Sequence, residues 1–162
     1  MIVVSDTTPL HYLILIEREF ILPRLFGEVL VPQQVLEEML HPNAPVSVRE
    51  WAESIPVWVV PRSAKKIEFI KGLGTGETAA IAIALEVKAD AILIDDRRGA
   101  REATALGLNS LTTFALLEQA SIQGLIDFEE SIAALASTTF RMPPDDVVNE
   151  FLRRNSERKS AF

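Results

Sequence analysis

The stretch ADAILIDDRRGAREA, residues 89–103, sets an apolar tetrad against charge: Ala91, Ile92, Leu93 and Ile94 run without a polar residue, and Asp95 and Asp96 end the run. Consecutive apolar residues that do not alternate fit a strand buried on both faces, as in a parallel sheet. Residues 97–106 then predict a helix stopped by Gly107. The same order stands at the N-terminus in VVSDTTPL, residues 3–10. Residues 2–5 read as a strand, Asp6 follows at its end, and a helix is expected over 9–16.

The rest of the chain continues the alternation. EVLV (28–31) is a second strand, and PQQVLEEML (32–40) a helix, with Val35, Leu36 and Met39 at helical spacing and Pro32 suited to the first turn. The proline-rich segment 41–61 interrupts the pattern, with a short helix over 48–53 and a short strand over 57–60. GLGTGETAAIAIALEVKAD (72–90) opens with glycines and becomes a helix apolar nearly all round, which belongs inside a fold. Residues 109–112 are a further strand, 114–122 and 128–136 are helices, and PPDD starts a last helix over 144–158. Short apolar strands alternating with helices define an α/β class: a central parallel sheet of four to five strands with helices on both faces. At 162 residues the chain fits one domain, 1–162, with a C-terminal helical extension from about 140.

Composition limits the chemistry. With no cysteine and two histidines, thiolate sites and disulfides are excluded, and a metal would be a hard cation held by oxygen. No apolar run approaches the roughly 20 residues of a membrane span, so a cytoplasmic protein is expected. The net charge of -7 argues against a broad electrostatic grip on nucleic acid. Positive charge is local, in Arg62, Lys65, Lys66 and Lys71, in Arg97, Arg98 and Arg101, and in Arg153, Arg154, Arg158 and Lys159. A basic run is ordinarily a solvated face.

The acids are more informative. Ligands of parallel sheets bind at the carboxyl ends of the strands, and both Asp6 and the pair Asp95 and Asp96 lie there. An aspartate at a strand-to-helix junction is also a common helix cap, although Asp95 and Asp96 cannot both be the cap. Glu77 opens the apolar helix, where the macrodipole alone would favour it. Glu37 and Glu38 lie one turn into the helix after the second strand, Glu38 three residues after Val35 and on its side. Brought together, four carboxylates would repel, and without a cation at least one should hold a proton. His11 and His41 are read as packing residues.

In combination, SDTTPL (5–10), VPQQVLEEML (31–40), GTGETAAIAIAL (74–85) and ADAILIDDRRGAREA resemble the PIN domain, the fold of the VapC-type toxin ribonucleases, over about residues 2–125. The resemblance implies a three-layer sandwich in which Asp6, Glu38, Glu77 and Asp96 or Asp95 hold one or two magnesium or manganese ions. Thr7 matches the family's D-T/S step. The adjacent pairs leave two positions open by one residue, with Glu38 preferred over Glu37 and Asp96 over Asp95. Thr7, Arg97, Arg98 and Arg101 are expected to contact substrate. The implied function is metal-dependent cleavage of single-stranded RNA by the toxin of a toxin–antitoxin pair. Its implied partners are a small antitoxin and a second copy of the chain, with the apolar helices after Phe114 available to either.

Two other readings compete. The acidic net charge suits a PIN-like protein that binds a partner or nucleic acid and cleaves nothing. An aspartate-nucleophile phosphatase would need a second aspartate where Thr8 stands and a lysine in the cleft, for which Lys88 is the nearest. GLGTGET is no nucleotide loop, because its glycines are spaced G-x-G-x-G, no lysine follows, and no clear strand precedes it.

Overall fold

The computed structural model describes residues 1–161. Five strands form one parallel sheet: β1 (Val3–Ser5), β2 (Val29–Pro32), β3 (Val59–Arg62), β4 (Ala91–Leu93) and β5 (Ser110–Leu111), in the order β3-β2-β1-β4-β5. β1 is therefore central, with Val4 paired to Leu30 on one side and to Ile92 on the other. The chain runs outward from β1 to β3, then returns to build β4 and β5 on the opposite side. That reversal places a crevice at the carboxyl ends of β1 and β4. Val3, Val4, Ile92 and Leu93 are all buried, as a sheet covered on both faces requires.

The helices are α1 (Thr7–Leu15), α2 (Ile21–Phe26), α3 (Gln33–Met39), α4 (Val46–Glu53), α5 (Thr75–Glu86), α6 (Arg97–Ala105), α7 (Thr113–Ile122), α8 (Phe128–Ala136) and α9 (Asp145–Ser160). The apolar α5 is an inside helix: Ala79, Ala80, Ile81, Ile83 and Ala84 are buried. Among the described residues no helix is long and apolar enough to cross a membrane.

Several boundaries differ from those the sequence suggests. α1 starts at Thr7 rather than residue 9, because a proline in the first turn lacks only an N–H that no helical carbonyl would accept. Pro32 closes β2 instead of opening α3, and the strand expected at 57–60 lies at 59–62, leaving Val57 98% exposed. β3 is an edge strand, where Pro61 removes no needed donor. α2, absent from the sequence reading, is a six-residue helix ended by Gly27 at φ 78.

The chain groups into two compact units. Residues Met1–Thr113 contain the whole sheet. The unit from Phe114 onward is built on aromatic packing: Phe151 meets Phe114 edge-on at 5.3 Å and stacks on Phe128 at 6.2 Å. Arg154 lies over the Phe151 ring at 4.5 Å and pairs with Glu118 at 2.9 Å.

Ile92 is fully buried in the central part of the sheet. Ile92→Ala should lower stability by about 2–5 kcal/mol through lost burial and a residual cavity, measured by urea denaturation.

Candidate active site

The site begins with Asp6 at the carboxyl end of β1. Its backbone N–H donates to the Leu93 carbonyl at 2.9 Å, carrying the sheet pairing one residue beyond the strand. Its side chain is 2% exposed. Although Asp6 occupies the N-cap position of α1, its carboxylate makes no capping hydrogen bond beyond the adjacent Thr7 N–H. Burial is the main force on its pKa, which is pushed up to about 7; the Thr7 backbone N–H opposes the shift, and the charges of Glu77, Glu38 and Asp95 add to it.

α3 and α5 bring the neighbouring groups. The Thr7 hydroxyl donates to Glu38 Oε2 at 2.5 Å, fixing one oxygen of that carboxylate. Gly76, in the first turn of α5, is the surface on which the groups meet. A Cβ there would stand 3.1 Å from Glu38 Oε2 and Thr7 Oγ1 and 3.3 Å from Asp6 Oδ1. These three oxygens therefore gather over the Gly76 Cα, and any side chain would crowd them. Glu77 bends back so that its Oε2 accepts the Gly74 N–H at 3.1 Å. Burial raises its pKa first, with Asp96 and Glu38 adding repulsion.

The tandem aspartates divide between two roles. Asp95 points to the start of α7: its Oδ1 accepts the Thr113 N–H at 2.8 Å and its Oδ2 the Thr113 hydroxyl at 2.6 Å. Burial nevertheless raises its pKa, against both hydrogen bonds. Asp96 is exposed and caps α6, its Oδ2 accepting the Gly99 N–H at 2.8 Å.

A cleft of about 590 Å³ opens over these groups, lined by Asp6, Thr7, Thr8, His11, Tyr12, Gln34, Glu37, Glu38 and residues 74–77. Asp95, Asp96, Arg97, Arg98 and Arg101 do not line it. Arg98 instead lays its guanidinium on the backbone of Gly72, where a Cβ would collide with it.

Two histidine assignments change. His11 is a cleft residue rather than a packing residue, and burial holds its pKa below the ordinary value against the pull of Glu38, so its imidazole is neutral at neutral pH. His41 is exposed, its Nδ1 accepting the Asn43 N–H at 3.1 Å. His11, Tyr12, Thr8 and Gln34 were legible only through helical spacing. Thr7 and Thr8 precede His11 and Tyr12 by one turn of α1, and Gln34 precedes Glu38 by one turn of α3. Gln34 Oε1 is buried without a hydrogen-bond partner.

Among the described residues, no three acidic or histidine side chains already stand as a finished metal cage. The donors present still suit a hard cation. Magnesium takes oxygen ligands, keeps several waters and is commonly held by one or two carboxylates together with substrate phosphate. Asp6 and Glu38 supply such a pair, with the Glu77 carboxylate one hydrogen bond from release.

A parallel sheet with a carboxylate-lined cleft at its topological switch places the chain among α/β proteins whose site lies at the carboxyl ends of the strands. A family model for the PIN domain matches residues 2–157, and the chain belongs to the PIN-domain family. PIN domains are generally nucleases and typically use divalent metal ions. Among solved structures, a PilT N-terminus domain protein from the hyperthermophilic archaeon Sulfolobus solfataricus P2 is similar at a TM-score of 0.51 and 18% identity, covering 88% of this chain and 100% of that one. It shows the same fold. No curated protein matches.

The pKa of Asp6 has a thermodynamic consequence. Its folded value, about 7, lies above the ordinary 3.8, so between these values the folded state binds more proton than the unfolded one. Stability is then complete below about pH 4 and is lost as pH rises toward 7, by on the order of a few kcal/mol. Asp6→Asn should flatten this slope and melt higher than the wild type at pH 8, as followed by circular dichroism across pH 4–8.

Proposed function

We propose that this chain is a metal-dependent endoribonuclease that cuts single-stranded RNA, the toxin of a toxin–antitoxin pair acting in the cytoplasm. The observation that carries the reading is the burial of Asp6 beneath a cleft that Glu38, Thr7 and Glu77 share with it around a glycine. A buried carboxylate with two further carboxylates beside it destabilises a fold unless a cation offsets its charge, so the placing of Asp6 next to Glu38 and Glu77 favours a functional over a structural origin.

Asp6 and Glu38 would hold the ion, with Glu77 joining once its carboxylate leaves the Gly74 N–H. Bound there, a divalent ion supplies a nucleophile by lowering the pKa of water and offsets charge on the leaving oxygen. The protein's own part is positional. The Thr7 hydroxyl holds one oxygen of Glu38, the absent side chain of Gly76 leaves room for the oxygens to converge, and Asp95 is kept in place by Thr113. Asp96 fixes the start of α6, and its charge adds to the repulsion on Glu77 that a bound cation would relieve. Neutral His11 beside the cleft is able to accept a proton or donate a hydrogen bond.

Asp6 must give up its proton to ligate, so ion affinity should rise as pH increases through about 7. The phosphatase reading loses its lysine, because Lys88 is exposed at the end of α5 and does not line the cleft. For the antitoxin and a second copy of the chain, the unit after Phe114 offers less apolar surface than its composition suggests: Leu116, Leu117 and Ile132 are buried, while Ile122 remains 52% exposed.

Purified protein should cut a single-stranded oligoribonucleotide in manganese or magnesium and stop in EDTA. Asp6→Asn should reduce cleavage at least about 100-fold, in line with loss of a metal-site group. Full activity in that variant would exclude the assignment. Manganese should raise the melting temperature of the wild type more at pH 8 than at pH 6, with little effect on Asp6→Asn.

A further inference from the structure

The three basic clusters of the sequence have different fates. Those of α9 are neutralised at home: Arg153 pairs with Glu150 and Glu157, Arg154 and Arg158 with Glu118, and Lys159 with Asp127. In α6, Arg98 is laid on Gly72. The third cluster, RSAKKIEFIKG at 62–72, carries four cations and one acid in a chain of net charge -7. Here Arg62, Lys65, Lys66 and Lys71 are exposed, and the only ion pair these four make among the described residues is Lys66 with Glu68 at 3.4 Å, both side chains well out in solvent. Such a pair contributes little.

Phe69 stands in the middle of this segment, 84% exposed and without a ring partner among the described residues. The backbone around it is held from below. Ala64, Ile70 and Leu73 pack against the core cluster that contains Ile81, Ile83 and Ile92, and the Leu73 N–H closes a turn on the Ile70 carbonyl at 3.1 Å. Gly72, at φ 88, makes the next bend and receives the Arg98 guanidinium. Two residues later the chain enters Gly74 and the cleft. The five residue-to-residue steps from Phe69 to Gly74 reach at most about 18 Å even when fully extended, so the aromatic ring lies within a few nucleotides of the cleft.

We propose that residues 62–71 form a platform for single-stranded RNA, with Phe69 stacking on a base and Lys65, Lys66 and Lys71 meeting the phosphates on either side. The proposal rests on the ribonuclease reading for the direction of the strand into the cleft, while the binding itself requires no cleavage. An exposed ring set among solvent-facing cations is what sequence-tolerant binding of unpaired strands uses, because every base offers a π-face and every nucleotide a phosphate. An acidic chain that must repel RNA elsewhere gains a local grip this way. The cations also answer the objection raised by the net charge, since only those near the cleft need to face phosphate.

The test is fluorescence anisotropy of the full chain with a fluorescein-labelled 12-nucleotide RNA in EDTA, where nothing is cut. Phe69→Ala and Phe69→Leu should each weaken binding roughly 5- to 100-fold, and Phe69→Trp should retain it. Replacing Lys65, Lys66 and Lys71 together by alanine should weaken binding and reduce the slope of log affinity against log salt by about 2. All variants should keep the wild-type melting temperature, since the side chains changed are exposed. Wild-type affinity in Phe69→Ala, or no RNA binding by the wild type, would overturn the proposal. Undiminished binding in Phe69→Leu would overturn it too and leave the loop as an apolar contact for a protein. If the wild type binds through Phe69 but cuts nothing in manganese, the platform stands and the ribonuclease reading falls; if it cuts and Phe69→Ala binds and cuts equally well, the reverse holds.

Discussion

The burial of one carboxylate, Asp6, at the end of the central strand is the constraint around which the sheet unit is arranged. Its N–H is committed to the Leu93 carbonyl, so the residue cannot move away without breaking the pairing of β1 with β4. Its side chain then has to lie where the strand order reverses, facing Glu38, Glu77 and Asp95. Each neighbouring carboxylate raises the free energy of the ionised form, and only the Thr7 N–H lowers it. The fold tolerates this because the remaining strand residues bury Val3, Val4, Ile92 and Leu93, and apolar burial of that extent outweighs one unfavourable group.

The other acids are held in ways that limit the repulsion. Glu77 and Asp96 each accept a backbone N–H at the start of a helix, where the macrodipole favours negative charge. Asp95 is satisfied twice by Thr113. Glu38 has its Thr7 hydroxyl. Capping therefore does not remove the Glu77 carboxylate from the cleft it lines. A carboxylate that spends one oxygen on a helix N–H stays oriented, and its second oxygen remains available to the cleft. Gly76 is the steric condition for this arrangement, since its missing Cβ is the space into which three oxygens point.

Charge is distributed with the same economy. Arg154, Arg158 and Lys159 serve the helical unit, knitting α9 to Glu118 and Asp127, while Arg153 pairs within α9. Arg98 stabilises the bend that leads into the cleft. The cations of 62–71 are left facing water beside an exposed phenylalanine, so position along the chain, rather than net charge, separates the cations tied into the fold from those left to solvent.

By itself the sequence determined the class of fold, because short apolar runs ending in acids and followed by helices admit only a covered parallel sheet. It also determined which residue types were available to a site: oxygen donors and no thiols. It marked Asp6, Glu38, Glu77 and the Asp95–Asp96 pair, since their places relative to strands are fixed by chain order. Only the tertiary structure decided what each does. Whether Asp95 or Asp96 caps a helix depends on a threonine eighteen residues away, at Thr113, and on the Gly99 N–H. The cleft roles of His11 and Gln34 depend on how α1 and α3 face one another, which periodicity within a single helix does not specify. α2 escaped because six residues are too few to show a period. Side-chain type and local spacing are properties of the chain, whereas burial, and with it the pKa of Asp6, belongs to the neighbours that folding supplies.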